Sequence, residues 1–92
     1  MARRVLKWDV PVDDREHEIG GGRVRLVACQ HSHDIVQVWT EEPEHPGFGR
    51  TTPPRMARVF GTGHPLPEAA NHLGSVVTAG GSLVWHLYEV TS

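Results

Sequence analysis

Short runs of alternating apolar and polar residues recur along this chain, and glycines and prolines separate them. In the first run, over 5–12, every second residue is apolar. Such a period of two is typical of a β-strand with one buried face. The runs over 23–30, 35–40 and 55–60 are rich in β-branched and aromatic residues, so each predicts a further strand.

The C-terminal third predicts a hairpin and a short helix. The segments 75–78 and 82–90 flank Gly80-Gly81, which is a strong signal for a two-residue hairpin turn. Pro67 begins a stretch, over 67–74, whose residues suit a helix of about two turns. The pattern therefore predicts a mainly β (α+β) fold, with about six mostly antiparallel strands and one short helix in a small sheet or barrel-like domain. Residues 1–92 are expected to form a single domain.

The last predicted strand is apolar on both faces, since Trp85 and Leu87 alternate with Val84 and Tyr88. A sheet with one solvated side cannot bury both sets. Either the strand is central in a closed or double-layered sheet, or its second face meets another subunit. Because so small a chain has little material to cover two faces, we expect an interface and a homo-oligomer. The candidate interface residues are Trp39, Val84, Trp85, His86 and Tyr88.

The net charge of the chain and the lengths of its apolar runs argue against two classes of partner, nucleic acid and membrane. Nine Lys and Arg residues face 11 Asp and Glu residues, which gives a formal net charge of −2. With so small a net charge, no overall electrostatic field attracts the chain to nucleic acid or anionic lipid. The sequence contains no run of about 18 apolar residues, so it predicts no membrane span. The single cysteine, Cys29, cannot form an internal disulfide, which agrees with a reducing compartment.

The segment Gly61-Thr62-Gly63-His64 is the strongest local candidate for ligand binding. Its glycines allow backbone N–H groups to curl around an anion, and the predicted helix that follows would attract one. Thr62 and His64 could add side-chain contacts, and Arg58 could supply positive charge. The alternative is an ordinary turn that needs a positive φ, and both interpretations stay open.

Seven histidines raise the question of metal binding and catalysis. His31 and His33 are the nearest approach to a ligand pair, but no Cys pair or second cluster accompanies them, and a polar hairpin loop explains them equally. Cys29 and His31 have no evident third group to orient them as a nucleophile and base. We therefore predict neither a cofactor nor a metal, and no enzymatic activity.

Two segments carry a resemblance to a known family: Phe60-Gly61-Thr62-Gly63-His64-Pro65, and the Val-Trp-His-Leu-Tyr-Glu-Val strand at 84–90. They resemble small proteins of unknown function encoded by bacteriophages of actinobacteria. The resemblance implies a phage origin and a setting in the host cytoplasm. It implies no reaction, cofactor or substrate.

Three functions are consistent with these features. The first is a non-enzymatic phage accessory protein, a homo-oligomer that acts by binding a host or phage protein. The second is a nucleotide or small-ligand binder, such as a sponge for a signal of host defence, with its site at the glycine turn. The third is a minor component of the virion.

Overall fold

The computed structural model describes residues 2–30, 34–43, 53–78 and 80–90. The strands in chain order are β1 (Arg3–Pro11), β2 (His17–Ile19), β3 (Arg23–Ala28), β4 (Ile35–Pro43), β5 (Arg55–Gly61), β6 (Asn71–Val77) and β7 (Val84–Glu89). Backbone hydrogen bonds join them into two antiparallel sheets: sheet A, with the order β1-β4-β3, and sheet B, with the order β2-β5-β7-β6.

The core lies between the two sheets. Its buried side chains are small or branched apolar residues that recur at every second position of a strand, as the sequence pattern predicted. Sheet A contributes Val10, Val36 and Val38, and sheet B contributes Ile19, Ala57, Val59, Val76 and Leu87. Two sheets that pack face to face around such a core form a β-sandwich.

The mainly β, antiparallel prediction is confirmed, but the predicted helix over 67–74 is wrong. No residue in the described ranges is helical, and only a single turn forms there, in which Ala70 N donates to Pro67 O at 3.2 Å. The chain then enters β6, which pairs with β7 and buries Val76. A two-turn helix is marginal by itself, so long-range strand pairing overrides the local preference.

The described residues form seven strands instead of about six, because the chain that follows the turn at Asp13 forms β2. This strand covers His17–Ile19 and pairs with β5, and its last residue, Ile19, is fully buried. β6 and β7 form the predicted hairpin, and both glycines have a positive φ, at 90° and 74°. The predicted two-residue turn is wrong: Thr78 N donates to Leu83 O at 2.9 Å, so the connection between the paired residues is longer than Gly80-Gly81.

A bulge in β3 changes which side chains face the core. The pairing of β3 with β4 shifts between Val24 and Leu26. As a result Val24 and Val27 both pack against the core, whereas Leu26 is 52% exposed on the outer face of sheet A. Among the described residues, no helix is long or apolar enough to cross a membrane.

Candidate functional site

A group of polar and aromatic side chains lies on the outer face of sheet B. Leu87 faces the core, so its neighbours His86 and Tyr88 point away from it. The strand register places Phe60 and Ser75 on either side of His86. Side chains from three strands, β5, β7 and β6, therefore meet on one surface.

Phe60 is 3% exposed although it lies on this outer face, because other side chains cover it. The ring of Tyr88 meets it edge to face at 5.8 Å and 88°, and Arg58 Cζ lies 4.7 Å from its centroid. His72 in turn contacts Tyr88, with ring centroids 5.1 Å apart. These contacts form an aromatic layer outside the sandwich core.

A chain of hydrogen bonds crosses the same face. Thr62 Oγ1 lies 3.0 Å from His86 Nε2, and His86 Nδ1 lies 2.8 Å from Ser75 Oγ. Ser75 Oγ is also 2.8 Å from His72 Nε2. Because a serine hydroxyl has one proton, at least one of the two imidazoles must donate to it. The network thus connects the edge strand β6 to the turn after β5.

The direction of these bonds determines what Thr62 offers to a ligand. If neutral His86 donates from Nε2, the proton of the Thr62 hydroxyl is available to an acceptor. If His86 donates from Nδ1 instead, Thr62 donates to Nε2 and its oxygen accepts from a ligand. The Thr62 hydroxyl can therefore bind either a hydrogen-bond acceptor or a hydrogen-bond donor of a ligand. Which of the two it binds depends on the direction of the hydrogen bond between His86 and Ser75.

The turn that follows β5 forms a pocket of about 190 Å³, which we call the turn pocket. His64 N donates to Gly61 O at 3.2 Å, and Gly63 has a φ of 88°. The imidazole of His64 lies over Gly61, where an added Cβ would come within 3.2 Å of its Cε1 atom. The pocket is lined by the four predicted residues Gly61, Thr62, Gly63 and His64, and by Phe60, Leu66, His86 and Tyr88.

The structure therefore brings four of the five predicted ligand-binding residues together, but Arg58 does not line the turn pocket. Its guanidinium lies over Phe60 and 3.7 Å from Asp14 Oδ1, beside a separate surface depression. Phe60 and Leu66 also line the pocket, although no sequence motif predicted them there. Strand alternation places Phe60 on the outer face, but only the fold shows that the turn bends over it.

The five candidate interface residues do not share a surface. Trp39 lies on the outer face of sheet A, in register with Lys7, whereas Trp85 packs against the core between the sheets. Only Val84, His86 and Tyr88 are together, on the outer face of sheet B. The apolar second face of β7 is thus partly covered by the chain's own Phe60, Arg58 and His72 side chains, which sequence patterning could not show.

Other titratable groups lie away from this site. A hydrogen bond with His17 Nε2, at 2.8 Å, lowers the pKa of Asp13. Burial raises the pKa of the Cys29 thiol, whose Sγ donates a hydrogen bond to Ile35 O at 3.2 Å. Within the described residues, no group of three or more His, Cys, Asp or Glu side chains is arranged around a metal position. His31 and His33 lie outside the described residues.

Two stacked sheets with an open pocket on one outer face define a β-sandwich domain with a candidate binding site. The chain belongs to the family described as Domain of unknown function (DUF7352), whose model matches residues 1–92. No curated protein and no solved structure matches the chain significantly. A domain of unknown function is what the resemblance predicted, and the phage origin stays a prediction.

Proposed function

We propose that this domain is a non-enzymatic small-ligand-binding protein whose site is the turn pocket. The observation that carries the proposal is the assembly of Thr62, His64 and His86 around an aromatic floor of Phe60 and Tyr88. A few placed polar groups on an apolar lining are typical of binding sites for small organic molecules. The hydrogen-bonded chain behind Thr62 gives this site both donor and acceptor capacity.

The size and charge of the pocket favour a planar heterocycle over a phosphate group. About 190 Å³ is smaller than the roughly 300–1,000 Å³ of pockets that hold drug-sized molecules, so it suits a single ring. None of the described residues that line it is Lys or Arg. A nucleobase has a flat face for Tyr88 and an edge that both donates and accepts hydrogen bonds. The ribose and phosphate of a nucleotide would then lie outside.

Titration of the ¹⁵N-labelled protein followed by NMR tests this proposal, with the four nucleosides, their 5′-monophosphates and inorganic phosphate as ligands. We expect shifts at Thr62, His64 and His86 for at least one nucleoside. Its monophosphate should bind with similar affinity, and inorganic phosphate alone should shift nothing there. Binding of inorganic phosphate at the pocket, or no shift with any nucleoside, would contradict the proposal.

A matched pair of histidine variants checks the position of the site. His64→Ala removes one polar group from the pocket and should weaken binding about fivefold, which corresponds to one hydrogen bond. His17→Ala removes a histidine on β2, outside the pocket, and should leave the affinity unchanged. Equal effects from both variants would show that the ligand binds elsewhere.

The second candidate is the homo-oligomeric protein that binds a host or phage protein. Large apolar side chains on the outer surfaces favour it, since Val5 is 53% exposed, Leu26 52% and Val77 62%. Light scattering coupled to size exclusion measures the oligomeric state. A strict monomer would remove the homo-oligomer and leave the ligand-binding proposal intact.

On the family resemblance alone, we propose that the chain is a phage protein that acts in the cytoplasm of an actinobacterial host. A neighbourhood of early phage genes would support this accessory role. Detection of the chain by mass spectrometry in purified phage particles would favour a minor virion component instead.

A further inference from the structure

The two sheets have four edge strands, and three of them are poor templates for pairing. β2 has three residues. β3 and β6 each contain a register shift, between Val24 and Leu26 and between His72 and Gly74, and such bulges interrupt an edge. β1 differs: its nine residues pair with β4 without a shift, and the described residues provide no strand on its other side.

The hydrogen bonds of β1 show which of its backbone groups face outward. Val12 N donates to Asp34 O at 2.8 Å, in line with the β1–β4 ladder. Because antiparallel pairs alternate between bonded and non-bonded positions, the even-numbered residues of β1 bond to β4. The odd-numbered residues then present their N–H and C=O groups at the free edge. Pro11, which has no N–H, occupies one of these outward positions.

We propose that β1 pairs antiparallel with β1 of a second copy of this chain, with Leu6 opposite Leu6 of the second copy. This register uses all four outward N–H groups of the strand, those of Arg3, Val5, Lys7 and Asp9. It joins the two copies of sheet A into one continuous six-stranded sheet. The inference rests on the backbone of β1 and is independent of the ligand-binding proposal.

The charges and the outward N–H groups of β1 together select the register. Pairing about Leu6 places Arg3 opposite Asp9 of the second copy, twice, and lets the aliphatic stem of Lys7 cover the exposed Val5. If the pairing were centred on Lys7 instead of Leu6, Lys7 would lie opposite Lys7 of the second copy. Arg3 would then lie opposite Pro11, which has no N–H to donate. If the pairing were centred on Val5, Arg3 would lie opposite Lys7 of the second copy, and the two positive charges would repel each other. Charged edge strands usually resist self-pairing. Pairing about Trp8 would also oppose unlike charges, those of Lys7 and Asp9, but it would place Val5 opposite Pro11, which has no N–H, and leave Arg3 unpaired. Only the register about Leu6 opposes unlike charges and also uses all four outward N–H groups.

Cysteine crosslinking tests that register directly. In a Cys29→Ser background, Leu6→Cys would place two thiols at a non-bonded pair with Cα atoms about 4.5 Å apart, within disulfide range. Mild oxidation should therefore give a covalent dimer. Arg4→Cys is the matched control, because its two copies would lie roughly 14 Å apart and should stay uncrosslinked. Equal crosslinking of both variants, or of neither, overturns the proposed register.

A charge exchange provides a second test that does not alter the inner face of β1. Arg3→Asp should weaken dimerisation about tenfold in sedimentation equilibrium, and adding Asp9→Arg should restore it. Arg3 and Arg25 both pair with Glu41 of the same chain, each at 2.9 Å. Arg25→Asp is therefore the matched control, since it removes the same intrachain ion pair but lies on β3. A wild-type chain that is monomeric up to about 1 mM, or a double variant that fails to recover, overturns the proposal.

Discussion

Two glycine-rich turns of this domain have similar sequences and opposite surroundings. Gly20-Gly21-Gly22 connects β2 to β3 and closes around Glu42, which is 2% exposed. Gly61-Thr62-Gly63 begins at the last residue of β5 and stays open to solvent above the turn pocket. The first turn is part of the folded interior, and the second forms a candidate site.

The glycines are needed for different reasons in the two turns. A Cβ at Gly20 would lie 2.3 Å from Glu42 Oε2, and one at Gly22 would lie 2.0 Å from Glu41 O. Gly63 instead has a φ of 88° and no atom within 4 Å of an added Cβ. Close packing therefore requires glycine in the first turn, while backbone conformation requires it in the second. A glycine turn indicates a binding site only where the space beside it is left empty.

Gly22→Ala should have the largest effect on stability. Its methyl group would overlap the backbone oxygen of Glu41, so β3 or β4 must shift. We expect the free energy of unfolding to fall by about 3 kcal/mol in urea titration. A loss below about 1 kcal/mol would show that the turn adapts easily and would remove the contrast with Gly63.

Glu42→Ala should rank second. Glu42 Oε2 accepts a hydrogen bond from Gly22 N at 2.9 Å, so its removal leaves a buried N–H group without its acceptor. We expect a loss of about 2 kcal/mol in the same assay. Glu42→Gln retains an acceptor for Gly22 and should lose less than half as much. If the two variants are equally destabilised, the contact with Gly22 is not what holds this turn.

Gly63→Ala should cost about 1 kcal/mol, since a left-handed conformation disfavours a side chain but no steric overlap results. The variant should remain folded and keep the turn pocket open. Denaturant titration checks its stability, and the NMR titration with nucleosides checks the pocket. Destabilisation as large as that of Gly22→Ala would mean that the second turn is packed as tightly as the first.

A third turn, at Asp13, contains no glycine and provides the smallest expected effect. The hydrogen bond between Asp13 and His17 lowers the pKa of the Asp13 carboxyl group below its ordinary value of 3.8. A carboxyl group with a lowered folded-state pKa contributes stability above its ordinary pKa, and this contribution is lost as the pH falls through the folded value.

Asp13→Asn should therefore reduce stability slightly near pH 6, and the difference from wild type should vanish as the pH falls below the lowered folded-state pKa of Asp13. Urea titrations of both proteins across this range measure it. A difference that grows on acidification would contradict the assigned role of the Asp13–His17 contact.

Much of the fold could be predicted from local patterns. The alternation that begins at Leu6 identifies the core face of β1, and Gly80-Gly81 specifies a hairpin because both positions need a positive φ. The segment Gly61–His64 could be recognised as a candidate site from its glycines and polar side chains. These features depend on neighbours a few residues apart, which the sequence displays directly.

Other features depend on contacts between distant residues. The chain around Leu73 has weak helical signals, but pairing with β7 and burial of Val76 make it a strand. The bulge in β3 exchanges the faces of Leu26 and Val27 to fit β4. Phe60 becomes buried on an outer face because side chains from other parts of the chain, among them Tyr88, cover it. The amino-acid sequence determined the strands and their alternating faces through short-range sterics and hydrophobicity. The tertiary structure decided which strands pair and which turn stays open, because those choices depend on burial gained by the whole molecule.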